Sequence, residues 1–416
     1  MPKRPPPDRH HDPATVRLPG GLVAAFRPLD PAAAWVPAWE ALGATALVAN
    51  PFYEAAYALA AAPAFGAGVR MLLIADRPPE EPGVRLLAAW PHRLVRSRWG
   101  VPLPLLMGWT HGYAPLGVPL IDAGDPGTAL AAFLAAPGAV GAPGRLLLTN
   151  APAEGPFRDL LDRAGNRQAA YWPHRRGMLS PASDPASRET YLDHLSGNRR
   201  RRLRRARRRL DASGTVTFEL LTDPAVFPAA LDAHIALESA SWKGRVGTAL
   251  AQRPDEAAFL RDAVAALAER GQVRIARLQQ GGRLLASAVL PLTGHDAFVL
   301  KVAHDDSDPA AAPGVQLVHR LTEDVLTGSD IARIDSCAPR LRTRHAVLAG
   351  AQGDCPPPRR GGARPALPRR VTTGAGAGGG RAPAARPQGA AGEIAGLKRF
   401  PEHLDHVITT VIASEG

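Results

Sequence analysis

Residues 282–337, GRLLASAVLPLTGHDAFVLKVAHDDSDPAAAPGVQLVHRLTEDVLTGSDIARIDSC, decide the fold. Two apolar runs of strand length, Arg283–Leu292 and Ala297–Val302, flank the turn 293–296. An acidic run from His304 to Asp308 and an Ala/Pro stretch follow. Pro313 then opens a helical stripe of Val315, Leu317, Val318, Leu321 and Val325. Proline suits a first helical turn, where its missing N–H has no partner to lose. Ile331–Asp335 reads as a short buried strand. A helix N-terminus beside a strand end offers free N–H groups to an anion, so the chemistry is expected here.

Upstream, Gln272–Leu278 is another strand, and Thr215–Leu221 alternates Val216, Phe218 and Leu220 as a half-buried one. Helices are predicted from Asp223 to Ala240 and from Pro254 to Arg270. The order is strand, helix, helix, three antiparallel-type strands, helix, strand. A further helix, Tyr191–Leu210, aligns Leu203, Ala206 and Leu210 on one narrow stripe. Nine of the eleven residues Arg199–Arg209 are arginine. Such a helix is either a solvated element with snorkelling side chains or a grip for phosphate, an anionic polymer, tRNA or a membrane surface. No interleaved aromatics favour base stacking.

Residues 1–18 read as a leader. Between about Gly20 and Ser180 an α/β pattern is expected, with helices near 32–42, 53–61, 127–134 and 156–164. Strands are expected near 70–75, 84–89, 118–121 and 145–149. Trp90, His92, Trp99, Trp109, His111 and Tyr113 cluster around the third strand as core packing or as a carbohydrate platform.

The chain has 416 residues, enough for two or three domains, and 45% hydrophobic content, ample for a core. Two cysteines exclude a disulfide framework and fit a reducing cytoplasm. No run of 18 apolar residues predicts a membrane-spanning helix, and His10-His11-Asp12 gives too few ligands for a metal site. The net charge of +12 is local: Arg199–Arg209 contributes +9, and residues 340–392, with ten Arg and one Asp, contribute another +9. The remainder sums to 12 − 18 = −6, so the body is mildly acidic.

Five short motifs follow in order: Leu237-Glu-Ser-Ala-Ser-Trp242-Lys-Gly, Gly247-Thr-Ala-Leu250, Lys301-Val-Ala-His-Asp305, Pro313-Gly314 and Asp335-Ser-Cys337. With Asn50-Pro-Phe-Tyr53 they resemble the GNAT acyltransferase superfamily, in particular its BioF2-like (CelD-like) acetyltransferase domain, distantly similar to Fem-type transferases. The resemblance implies an α/β (α+β) fold of tandem GNAT-like domains, with a mixed, largely antiparallel sheet flanked by helices. A degenerate N-terminal domain would span 19–182 and the acetyltransferase domain 183–339, including a basic helix at 198–211. It also implies a bacterial, cytoplasmic N-acetyltransferase using acetyl-CoA or another acyl-CoA, without a metal, often in exopolysaccharide or envelope biosynthesis. An aminoacyl-tRNA-dependent transferase or an inactivated relative is the alternative.

On this resemblance Leu300, Lys301, Val302, Pro313, Gly314, Val315 and Gln316 bind the donor, although ordinary GNAT enzymes carry more glycines at that turn. Acyl transfer needs a base and donors for the developing oxyanion. Glu238, or His304 with Asp305, is the expected base. His234, four residues before Glu238 on one helix face, is expected with Trp242, Lys243 and Arg245 to contact a sugar or small-molecule amine. Residues 340–416 depart from the family: 32 of the 40 residues 351–390 are Ala, Gly, Pro or Arg. That composition reads as a disordered tail, and the hypothesis that follows is a frameshift near Pro339.

Overall fold

The computed structural model describes residues 14–98, 100–180 and 195–339, and the strand 404–413; for 171–175, 339 and 404–413 it describes the backbone alone. The first half runs β1 (Ala14–Arg17), β2 (Val23–Pro28), α1 (Val36–Thr45), α2 (Ala55–Phe65), β3 (Arg70–Ala75), β4 (Leu86–Val95), β5 (Leu105–Gly108), β6 (Leu120–Ile121), α3 (Pro126–Ala139), β7 (Arg145–Pro152), α4 (Pro156–Arg163) and β8 (Arg167–Leu179). The second half runs α5 (Gly197–Asp211), β9 (Val216–Leu221), α6 (Phe227–Ala240), the single turn α7 (Trp242–Arg245), α8 (Pro254–Ala268), β10 (Val273–Gln280), β11 (Arg283–Thr293), β12 (Asp296–Phe298), β13 (Lys301–His304), α9 (Pro313–Thr327) and β14 (Arg333–Pro339), with β15 at Leu404–Ala413.

The two halves repeat one plan. Strands β2-β3-β4-β5-β7 lie in the order that β9-β10-β11-β12-β14 follow in the second half. In each, two α-helices of two turns or more follow the first strand, and the last helix crosses over to a strand parallel to its neighbour, β5–β7 and β12–β14. All other pairings among the described strands are antiparallel. The fold is thus a tandem GNAT-like arrangement in a mixed, largely antiparallel sheet flanked by helices.

The halves also exchange strands. β8 follows the first half yet pairs with β14, while β15 follows the second and pairs with both β7 and β8. β15, which the sequence reading did not anticipate, lies beyond the 351–390 stretch whose composition reads as disorder; that stretch is outside the described residues.

A core of both halves fuses them. Phe52 meets Phe298 edge to face at 5.6 Å, and Tyr57 and Phe65 meet Phe259 at 5.5 and 5.3 Å. Buried Glu54 accepts from Gln272 Nε2 at 2.7 Å and from Thr293 Oγ1. The Asn50-Pro-Phe-Tyr53 motif is structural: Asn50 Nδ2 donates to Val118 O at 2.9 Å, and Tyr53 OH to Trp109 O at 3.0 Å. Trp90 and Trp109 are buried, so core packing accounts for that part of the aromatic patch.

Two expected elements differ. The run Ala297–Val302 is broken into β12 and β13, and the helix expected from Tyr191 is described from Gly197. Residues 181–194, Trp99, His10, His11 and Asp12 lie outside the described residues.

Candidate active site

The break between β12 and β13 forks the sheet. β14 pairs with β12 only from Asp296 to Phe298, and the Val299 N–H donates to Asp335 O at 2.8 Å. Beyond that point, among the described strands, β13 pairs only with β11. A cleft of about 190 Å³ opens beside β13. Val302, His304 and Asp305 line one side, Pro313, Gly314 and Val315 of α9 another, and Trp242 and Lys243 of α7 the third. Sequence-predicted donor, base and substrate residues thus meet in one place.

The start of α9 is built to leave an amide uncommitted. Ala312 holds a left-handed φ of 46°, an uncommon state for a residue with a Cβ. The Val315 and Gln316 amides donate to Ala312 O at 3.0 and 3.1 Å. Pro313 has no N–H, so among the described residues the Gly314 amide is the first donor without an acceptor. The corresponding helix of the first half, α3, is different: Asp125 caps it, accepting from Thr128 N at 3.2 Å. A carboxylate stands there where an incoming anion would have to sit. Gly314 also matters sterically, since a Cβ added to it would lie 3.2 Å from His304 Cγ and Nδ1.

His304 is half-buried, and desolvation, then the Lys243 charge, holds its pKa below the ordinary imidazole value. It is therefore neutral near pH 7 and able to accept a proton. Asp305 is committed elsewhere, accepting from Ser307 N at 2.9 Å and pairing with Arg283. Asp306, which the sequence did not single out, accepts from Trp242 N at 2.9 Å and pairs with Arg245. It pins α7 across the cleft mouth. Three acidic residues within Asp305–Asp308 gave no sign of which one turns inward.

Glu238 is placed behind the cleft, not in it. One oxygen meets Lys243 Nζ at 2.7 Å and Lys301 Nζ at 3.2 Å, and the other accepts from Leu250 N at 2.9 Å. Burial raises its pKa, but the two ammoniums outweigh that and the net shift is downward. A fully buried carboxylate so held is an anchor and a poor base. Lys243 also donates to Val302 O at 3.1 Å, bracing β13. Lys301 is buried rather than on the cleft, donating to Tyr113 OH at 3.2 Å; Tyr113 in turn donates to Glu256 at 2.5 Å. A residue of the first half thereby reaches the charged cluster of the second.

His234 is also buried, and among the described residues neither ring nitrogen has a partner. Burial pushes its pKa down to about 3. Its four-residue spacing from Glu238 brings the two together in the interior, away from the cleft. Gln316 points to the basic helix, its Nε2 donating to Leu203 O at 3.1 Å. Leu300 is half-buried against the core, and Arg245 is exposed beside the cleft. The Cys337 thiol is buried and its pKa raised by that burial, which disfavours the thiolate. No cluster of metal-ligating side chains occurs among the described residues, and none of their helices is long and apolar enough to cross a membrane.

Residues 197–341, arginine helix included, match the family model described as an acetyltransferase (GNAT) domain. No curated protein matches the chain. Among solved structures it is similar to FemX, at 11% identity over 72% of this chain and 86% of that one, with a TM-score of 0.47. It is also similar to a tandem GNAT protein from the clavulanic acid biosynthesis pathway, at 14% identity over 94% and 99% of the two chains and a TM-score of 0.36. A third is the C-terminal domain of a putative lysylphosphatidylglycerol synthetase from Agrobacterium fabrum, at 16% identity over 61% and 68%, TM-score 0.39.

Proposed function

We propose that the chain is a cytoplasmic, acyl-CoA-dependent N-acetyltransferase of the BioF2-like kind, acylating an amine of a small molecule or sugar in envelope or exopolysaccharide biosynthesis. The observation that carries this is neutral His304 packed on Gly314 at a forked sheet, beside an uncommitted helix amide. The residues present fit a thioester donor: Gly314 N–H and the start of α9 would hold a phosphate oxygen, and Val302 would flank the pantetheine arm. Bound acyl-CoA supplies an activated carbonyl. His304 takes the proton from the acceptor amine, and Trp242 forms the wall against which the acceptor is oriented. Asp306 fixes that wall, and Glu238 with Lys243 fixes β13.

Calorimetric titration of acetyl-CoA into the full chain tests this. Saturable binding is expected, and Gly314→Pro, which removes the amide and crowds His304, should abolish it. A folded wild-type chain that takes up no acyl-CoA overturns the reading.

A further inference from the structure

A second recess lies away from the cleft, between the arginine helix α5 and α9, with a volume of about 300 Å³. Arg200, Arg204, Arg207 and Arg208 line it from α5, and His319, Arg320 and the carboxylate Glu323 from α9. Spacings of four, three and seven residues among Arg200, Arg204 and Arg207 put these three on one face of α5, with Arg208 one turn beyond Arg204. Leu203 and Gln316, both buried, form the floor. The bond between them, Gln316 Nε2 to Leu203 O, fixes how far apart the two helices stand.

The charge is not balanced within the recess. Arg207 is paired with Asp211 at 2.8 Å, and Arg320 with Glu323 at 3.0 Å. Among the described residues no carboxylate pairs with Arg204 or Arg208. Arginines four apart on one helix repel each other, and here they do so at the edge of a concavity, not along an open face. A flat basic stripe suits a polymer or a membrane; a recess with a fixed floor suits a compact anion. The guanidinium fork matches phosphate oxygens in a two-point geometry.

We propose that this recess binds a phosphate-bearing group, with Arg204 and Arg208 as the clamps. It is distinct from the helix-start amide of the cleft, and it does not rest on the donor reading.

The test is calorimetry of inorganic pyrophosphate with the full chain, with R204Q/R208Q, with the charge-matched control R17Q/R163Q, and with Gly314→Pro. Arg17 and Arg163 are exposed in the first half. One-site binding is expected in wild type, in the control and in Gly314→Pro, weakened about tenfold or more in R204Q/R208Q. Equal binding by R204Q/R208Q, or loss in Gly314→Pro alone, overturns the proposal. So does binding of a short RNA with no binding of pyrophosphate, which would make the arginine face a polymer surface. Coenzyme A that competes with pyrophosphate, and loses affinity in R204Q/R208Q, assigns the phosphate to the acyl donor. Pyrophosphate binding without such competition assigns it to a separate phosphorylated ligand.

Discussion

His304 gains its role from two neighbours that lower its basicity without removing it from solvent: the apolar wall that half-buries it and the Lys243 ammonium. Activity should therefore rise with pH through a midpoint below the ordinary imidazole value of 6.5 and stay level above it. His304→Gln should lower kcat by about 10²–10⁴. A variant that keeps its rate and its pH profile would move the base elsewhere. His234 gives the matching stability prediction. Its pKa is about 3 when folded against 6.5 for the free side chain, so the unfolded chain binds the proton first. Stability is then full above about pH 6.5 and falls by about 1.4 kcal/mol per pH unit below it. His234→Leu removes two unpartnered ring nitrogens and should stabilise the protein by about 1–3 kcal/mol while flattening the acid slope. Urea unfolding at pH 7 and pH 5 measures both. At this scale the sequence located the cleft through Pro313-Gly314 and His304. It missed that Glu238 and His234 point inward, because a helix face read from spacing is the same whether it meets solvent or core.

Among elements, a buried ion pair reinforces the join between the halves, Arg176 on β8 to Asp335 on β14 at 2.6 Å. Arg176→Met should cost about 3–5 kcal/mol by leaving the carboxylate buried and unpaired, and adding Asp335→Leu should recover most of it. Chemical denaturation of the two variants checks this; an additive double variant would mean that the pair does not couple. The order of elements in the second half was legible because its apolar runs are long and its turns carry Gly or Pro. The β12–β13 break was not, since Ala297–Val302 is apolar apart from Lys301 and carries no Gly or Pro, and the fork is set by where β14 stops pairing. β15 was missed for a different reason. Val407 through Ile412 are all β-branched, a strong strand signal, but they follow a stretch whose composition governed the reading of the whole tail.

Over the whole molecule, the two repeats account for the size of the sheet, and the differing helix starts account for why one cleft is receptive. Asp125 closes the start of α3, whereas Ala312 leaves α9 open. The exchanged strands make the halves interdependent. A chain ending at Pro339 should lose cooperative unfolding and aggregate, because β7 and β8 would each keep an unsatisfied edge. Size-exclusion chromatography and thermal melts read this out, and a monomeric, cooperatively melting truncation would contradict it. Resequencing codons 336 to 395 tests the frameshift separately; an unambiguous uninterrupted frame removes it.

The position of β15 also dictates when the protein can be born. The strand lies roughly 250 residues after β7, the neighbour it must pair with, and contacts of that sequence separation form slowly. A ribosome making this chain releases both repeats before it delivers the strand that sits between them. The middle of the sheet therefore closes last, after nearly everything else has emerged, and a nascent chain that loses its frame or stops early is left open at the seam, where chaperones and proteases act.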